Sequence, residues 1–333
     1  MRMDKNLLFK TLGMTHGIAL APMAGFTDHA MRVVCHMHGA EYSVGEMVSA
    51  KAVTFGDKKT FALAKITADE GPSAVQIFGS EPEVMAYAAA VLSNPIDGGV
   101  APVAIDINMG CPVNKIYSNG EGSALMKNPE LIEKITSAVS RAISIPCTVK
   151  LRTGVDSEHI NAVECALAAE EGGAQMVTVH GRTRVQMYSG EVDKGTIAAV
   201  KSALKIPVFA NGDITDSKTA LEMLRATAAD GIMIGRGAVG NPFIFEEIKS
   251  ALSEKSYTPP TLDERVECAL LQLRLAVEEK GEQRAVTESR KQIALYLHSF
   301  RGAARVRAEI NRAESFDAVK RALTSAIKEE NDA

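Results

Sequence analysis

The chain has no tryptophan, and aromatic residues make up only 5 % of its 333 positions. Its cysteines are few: Cys35, Cys111, Cys147, Cys165 and Cys268. Their number is odd and none stands in a CxxC pair, which argues against a disulfide framework or a zinc site and fits a reducing cytosol. No apolar run approaches the about 18 residues needed to span a membrane. The opening MRMDKNLLFK lacks a signal-peptide core. A cytoplasmic protein with no membrane contact is therefore expected. There is no tandem repeat of solenoid period and no low-complexity tract. No GxGxxG follows the first strand-like run, which weakens the case for a doubly wound dinucleotide-binding sheet. Net charge is −4, so the molecule as a whole is no general binder of polyanions.

The composition that remains, 46 % hydrophobic and 23 % charged, is that of an ordinary globular protein long enough for one large domain and a smaller one. Up to about residue 245, short β-branched apolar runs alternate with helix-like stretches. Eight runs read as strands: Ile18–Met23, Tyr42–Val48, Ala74–Phe78, Val103–Asn108, Thr148–Leu151, Met176–His180, Val208–Asn211 and Gly231–Ile234. Several are continuously apolar, as strands buried on both faces are. The intervening segments include Pro129–Ala142, Ser157–Glu171 and Ser217–Ala226. Eight βα units in this length predict a (β/α)8 TIM barrel, which typically takes about 250 residues. The polar stretch Ser250 to Pro260 reads as a linker. Leu262–Glu279, Val286–Phe300, Ala303–Ala313 and Phe316 to Lys328 read as helices. The expected organisation is a barrel over 1–250 and a small all-helical domain over 251–333. From Arg284 to Arg312 seven basic residues (Arg284, Arg290, Lys291, Arg301, Arg305, Arg307, Arg312) face two acidic ones, Glu288 and Glu309. Such a cluster is either a solvated helix surface or a local grip on a polyanion.

A barrel keeps its chemistry at the C-terminal ends of its strands. In order, those ends carry Pro22-Met23-Ala24-Gly25, Glu46, Gln76, Asp106-Ile107-Asn108-Met109-Gly110-Cys111, Lys150-Leu151-Arg152, His180-Gly181-Arg182, Asn211-Gly212-Asp213 and Gly235-Arg236-Gly237. The last two groups read either as tight glycine turns or as a phosphate cradle, with Arg236 supplying charge. A phosphate there, with Gln76, Lys150 and His180 pointing inward, suits flavin mononucleotide (FMN), with Lys150 beside the ring edge that becomes negative on reduction. Taken singly, Lys150 is also a rim salt bridge and His180 a core histidine. Cys111, between Gly110 and Pro112, is displayed at a strand exit; the plainer reading is a small buried hydrophobe. A thiol with pKa near 8.5 is mostly protonated at neutral pH, which suits a general acid beside hydride transfer. No residue pattern supplies it with an activating base.

Taken together, APMAGFTD, QIFG, DINMGCP, GSALM, VKLRTG, VHGRTR, FANGDI and IGRGAVGNP resemble the ordered motifs of the tRNA-dihydrouridine synthases, with the bacterial B-type branch most similar. The resemblance spans nearly the whole chain and includes ESRKQIALYLHSFRGAARVRAEINRAES near the C-terminus. It implies an FMN-bound barrel, a helical tRNA-binding domain, NADPH or NADH as reductant, and reduction of the C5–C6 double bond of uridines in the tRNA D-loop. It implies no stable protein partner and no metal. By motif it makes Cys111 the proton donor to C5 while hydride passes from the flavin to C6. Pro22, Met23 and Ala24 then line the flavin, and Gln76, Lys150 and His180 contact its ring or nearby atoms. Asn211, Gly212, Asp213, Gly235 and Arg236 hold the phosphate end, and Asn108, Arg152 and Arg182 face the substrate. Where the family often carries His after the Arg-Lys pair and then Trp-Tyr, this chain has Gln292 and Leu295-Tyr296. The competing readings are an FMN-dependent ene-type oxidoreductase of a small molecule, like a dihydroorotate dehydrogenase, and a non-catalytic RNA-binding protein.

Overall fold

A computed structural model describes residues 4–298 and 302–331. Its strands are β1 (Ile18–Leu20), β2 (Tyr42–Ser49), β3 (Ser73–Phe78), β4 (Ala104–Asn108), β5 (Cys147–Arg152), β6 (Met176–His180), β7 (Val208–Asn211) and β8 (Gly231–Ile234). Each pairs in parallel with the next, and β8 returns to β1, so the sheet closes into the expected barrel. The apolar character of the strands is explained by their position: Ile77, Ile105, Ile107, Val149, Leu151 and Val177 are fully or almost fully buried beneath the surrounding helices.

One end of the barrel is plugged. The short helix Lys5–Thr11 places Leu8 and Phe9 under the strand starts, in a cluster with Ala19, Tyr42, Phe209 and Met233. The Phe9 and Phe209 rings meet edge to face, with centroids 5.8 Å apart. Only the C-terminal strand ends remain as a mouth.

Several boundaries differ from the sequence-based expectation, three of them for a clear local reason. β1 stops at Leu20 rather than Met23, because Pro22 has no N–H to continue the ladder. Thr27 instead ties the following loop, donating to Ala21 O and accepting from Met23 N–H. The helix expected from Ser157 begins at Ala162, since the Asp156 carboxylate captures the N–H groups of Glu158 and His159 in a turn. The helix Ile244–Leu252 takes the first residues of the expected linker. Gly281, at φ +79°, ends the helix Leu262–Lys280, so the next runs from Glu282 to Leu295 rather than from Val286. Phe300 and Arg301 lie outside the described residues.

The helices Leu262–Lys280, Glu282–Leu295, Ala303–Arg312 and Phe316–Asn331 pack around Leu273, Val286, Ile293, Tyr296 and Val306. Val34 and Phe243 of the barrel layer join this second core. Two polar contacts reach from it to the loop after β1: Lys280 Nζ lies 2.6 Å from Asp28 Oδ2, and Gln292 Nε2 donates to Gly25 O at 3.4 Å. No helix among the described residues is long and apolar enough to cross a membrane.

The helix His29–Met37 is anchored by a buried ion pair. Arg32 Nε donates to Glu70 Oε2 at 2.5 Å, and Arg32 Nη1 donates to Thr27 O. Both side chains are almost inaccessible, at 3 % and 0 %. Arg32→Met is expected to leave the Glu70 charge buried without its counter-ion and to lower stability by about 3–5 kcal/mol in urea unfolding. Adding Glu70→Gln should recover much of that loss, and an additive double variant would contradict the pairing.

Candidate active site

Ladder register stacks the polar strand-end residues in layers. Gln76 is the β3 partner of Asp106, and Asp106 is the β4 partner of Thr148. One step towards the mouth, Asn108 pairs with Lys150. Above these, Arg152 pairs with His180, and His180 with Asn211. Alternation along β4 puts Asp106 and Asn108 on the same face, into the barrel.

These side chains form one connected series. Thr148 Oγ1 donates to Asp106 Oδ1 at 2.5 Å, and Gln76 Nε2 donates to Asp106 Oδ2 at 2.7 Å. Asn108 Nδ2 donates to Gln76 Oε1 at 2.8 Å. Asn108 Oδ1 then accepts from the main-chain N–H groups of Gly110 at 3.2 Å and Cys111 at 2.9 Å. On the far side, Ser123 Oγ donates to Cys111 O at 2.8 Å. Gly122 makes this approach possible: it sits at φ +58°, and a Cβ there would come within 3.0 Å of Cys111 Cβ. Burial pushes the Asp106 carboxyl above its ordinary range, while its bonds to Gln76 and Thr148 and the charge of Lys150 pull it back.

Cys111 retains 8 % exposure. Burial raises its thiol pKa, outweighing the opposing Val113 N–H and Arg152 charge. The thiol is therefore protonated at neutral pH.

The strand ends that follow, from β5 round to β8, are cationic. Lys150 Nζ donates to Asn211 Oδ1 at 3.0 Å, and Asn211 Nδ2 donates to Met233 O. Burial and then the charge of Arg152 bring the Lys150 ammonium down to about 7, although Asp106 supports its charge. Burial, with Lys150, Arg152, Arg182 and Arg236 around it, brings His180 down to about 2, so the imidazole is neutral. Gly212, at φ +126°, passes so close to its neighbours that a Cβ would lie 2.7 Å from Val192 and 3.1 Å from His180. Gly235 lies beside Met23, whose sulfur is 3.5 Å from the position of a Cβ. Pro22 and Met23 are half-buried and Ala24 is exposed at the same rim. The structure thus brings Met23, Gln76, Asn108, Cys111, Lys150, His180, Asn211, Gly212 and Gly235 to one mouth.

Arg152 and Arg182, expected to face substrate, are engaged by the protein. Arg152 Nε donates to Gly110 O at 2.7 Å, and its Nη1 donates to Thr183 O and Met187 O. Arg182 donates to Ser189 O and Gly190 O and forms a two-pronged pair with Asp213, at 2.9 and 2.6 Å. Asp213, expected at a phosphate, accepts from Arg182 and also lies 3.5 Å from Arg236. These bonds hold the loop from Gly181 to Asp193 over the mouth. On that loop Tyr188 is half exposed, with the Arg236 guanidinium 4.7 Å from its ring centre. Tyr188 escaped the sequence reading because no strand end carries it. The strand-end pattern includes Asp106 but gives it no role, although its two-residue spacing from Asn108 is a signal for one; Thr148 carries no such signal.

A closed parallel barrel with a protonated cysteine, a buried lysine and a surplus of cations at its strand ends defines an enzyme site suited to an anionic ligand. The model of the family described as "Dihydrouridine synthase (Dus)" matches residues 19–331. Among similar proteins, the tRNA-dihydrouridine synthase B of Pseudomonas syringae pv. tomato is 40 % identical over 304 residues, covering 91 % of this chain and 89 % of its own. That of Yersinia pestis is 44 % identical over 248 residues, covering 74 % and 75 %. A probable tRNA-dihydrouridine synthase of Rickettsia bellii is 39 % identical over 300 residues, with 90 % of each chain covered. The chain belongs to the dihydrouridine synthase family, and is an oxidoreductase of that class.

If Arg182 clamps the loop, Arg182→Met should raise the rate of limited proteolysis between 184 and 192 about tenfold, equivalent to ~1.4 kcal/mol of local stability. An unchanged cleavage pattern would show that the loop is held otherwise.

Proposed function

We propose that this protein reduces the C5–C6 double bond of uridines in the D-loop of tRNA, using FMN and NAD(P)H, with Cys111 as proton donor. The observation that carries the reading is the placement of Cys111: Asn108 Oδ1 and Ser123 Oγ hold its main chain at a mouth whose neighbouring strand ends are cationic, and burial raises its thiol pKa.

The donor set fits a flavin nucleotide. Lys150, Arg152, Arg182 and Arg236 surround a neutral His180, with Asp106 and Asp213 as the carboxylates interacting with them. That surplus suits a phosphate and an electron-rich ring edge. Asn211, Gly212, Gly235 and Arg236 would hold the phosphate end, with Asp213 setting the Arg236 guanidinium. Pro22, Met23 and Ala24 would line the ring, with Lys150, His180 and the remaining amide hydrogen of Gln76 at its polar edge. When bound, the flavin supplies hydride to C6, and NAD(P)H renews it.

Cys111 then gives its proton to C5. Its raised pKa keeps the proton in place at neutral pH, and its fixed backbone limits where the thiol can reach. Asn108, Arg152 and Arg182 border the space from which a uracil would approach, although both guanidiniums also tie the Gly181–Asp193 loop. We place the tRNA grip on the helical segment 251–333, treated as a second domain. Lys291 and Arg312 are exposed there, whereas Arg290 binds Ala313 O, and Arg284 and Arg305 pair with glutamates. Phosphate contacts of this kind offset the few kcal/mol needed to draw a base out of its stack. A small-molecule substrate has no use for such a segment. Action on tRNA accords with a cytoplasmic protein.

Cys111→Ala should purify yellow, with bound FMN, yet form dihydrouridine about 10²–10⁴-fold more slowly when tRNA is analysed by mass spectrometry. Undiminished dihydrouridine formation would remove the thiol from the mechanism.

Lys150 gives a pH signature. In the ligand-free protein its pKa is lowered to about 7, so at pH 8.5 the amine is mostly neutral. The ring edge beside it is negative in reduced FMN and favours the charged form, so anaerobic binding of reduced FMN should take up close to one proton at pH 8.5 and much less at pH 6. Titration calorimetry of flavin-free protein in two buffers of different ionisation enthalpy measures this uptake. Lys150→Met should abolish it; uptake persisting in that variant would assign the proton elsewhere.

A further inference from the structure

Asp106 has no part in the chemistry proposed above. It is 1 % exposed, one layer below Asn108, and an apolar residue would fill a barrel interior as well. A buried carboxylate is costly to maintain, so its presence calls for a physical reason.

The hydrogen-bond series supplies one. An amide side chain has nearly the same shape at both ends but donates at one and accepts at the other, so it can be reversed at little steric cost. Gln76 and Asn108 are two such reversible links in sequence. Both oxygens of Asp106 face donors, the Thr148 hydroxyl and Gln76 Nε2, which is the pattern of an ionised carboxylate. A group that only accepts forces Gln76 to point Nε2 at it and Oε1 away. Gln76 Oε1 in turn requires Asn108 to present Nδ2, which leaves Asn108 Oδ1 for the N–H groups of Gly110 and Cys111. Reversing either amide would set donors against donors where water is nearly absent.

We propose that Asp106 is a positioning residue, whose carboxylate fixes the direction of the Gln76 and Asn108 amides and thereby the seat of Cys111. The proposal rests on the reading of Cys111 as proton donor, but its geometry is tested without turnover.

Three variants decide it: Asp106→Asn, Gln76→Glu, and the two combined. Asp106→Asn removes the acceptor-only member and permits both directions of the series. Gln76→Glu sets two carboxyl groups face to face. The combination moves the carboxylate by one link: the amide introduced at 106 donates to the carboxylate introduced at 76, which still accepts from Asn108 Nδ2. The direction at Asn108 is thus restored although neither original side chain is present.

The main readout is the rate at which iodoacetamide alkylates Cys111, followed on its peptide by mass spectrometry, with the thermal midpoint as a check of fold. Each single variant should loosen the loop and speed alkylation several-fold, and the combined variant should return to within about twofold of the parent, because its amide direction is again unique. On the flavin-loaded enzyme, Asp106→Asn should lower kcat about 10–100-fold at nearly constant KM for tRNA, the mark of a misplaced group rather than a lost binding contact. Gln76 belongs to the proposed flavin site, so the combined variant is judged by alkylation alone. Parental alkylation and kcat in Asp106→Asn would overturn the proposal, as would a combined variant alkylated as fast as the singles. If Asp106→Asn fails to fold, Gln76→Glu against the combined variant makes the same decision. Full activity of Cys111→Ala would instead overturn the proton-donor reading and leave the alkylation result to judge the series.

Discussion

A charge buried inside a parallel barrel has to be met by donors from the neighbouring strands, and at Asp106 that requirement orders the layers above it. The ladder register brings Gln76 and Thr148 level with Asp106, and both donate to it. Satisfying the carboxylate leaves Gln76 Oε1 facing Asn108, and satisfying Gln76 leaves Asn108 Oδ1 facing the loop that bears Cys111. Each step is a consequence of the one below it, because an unpaired polar group at these depths costs about 1–3 kcal/mol. The loop conformation is therefore an extension of the barrel rather than a property of the loop's own residues.

The cationic part of the mouth follows from the same economy of polar groups. Arg152 and Arg182 sit on β5 and just after β6, where little water reaches them. They find acceptors in the carbonyls of Gly110, Thr183, Met187, Ser189 and Gly190 and in Asp213. Long polar side chains that saturate themselves in this way fix two loops at once, the one bearing Cys111 and the one bearing Tyr188. Burial is what chiefly makes Lys150 and His180 less basic, and the remaining charges add to it, Arg152 at Lys150 and both arginines at His180. Structure and electrostatics are linked here: the guanidiniums that build the mouth also leave it short of negative charge.

How much of this was legible in the sequence depends on the kind of signal. The strands were, almost to the residue from β5 onward, because strands buried on both faces are written as uninterrupted apolar runs between turn residues. Boundaries failed where one local contact outweighed pattern: the proline at 22, the Asp156 turn, and glycine at 281. The site was legible as a set, because a barrel gathers its strand ends whatever the loops do. Individual roles were less so. Nothing in VKLRTG or VHGRTR distinguishes an arginine aimed at a ligand from one that ties carbonyls together, since that depends on loops folded from elsewhere in the chain. The role of Asp106 is hidden for a different reason: it lies within a motif dominated by Cys111, and its partners come from strands 30 and 42 residues away in sequence.

The protonation state of Cys111 shows how these parts balance. Arg152 lies near enough to favour a thiolate, as does the Val113 N–H. A cysteine in a cationic pocket ordinarily becomes a nucleophile for this reason. Here burial is the larger effect. The Arg152 guanidinium is surrounded by carbonyl dipoles from Gly110, Thr183 and Met187, which offset part of its field, and among the described residues no carboxylate or imidazole bonds to the sulfur to take its proton. His180, the imidazole in the mouth, is kept neutral by burial and by the cations around it, and its ring borders Gly212 and Tyr188. A thiol that is buried, fixed and not bonded to a base keeps its proton until a carbanion-like carbon is formed beside it, and that is the property required of an acid rather than of a nucleophile.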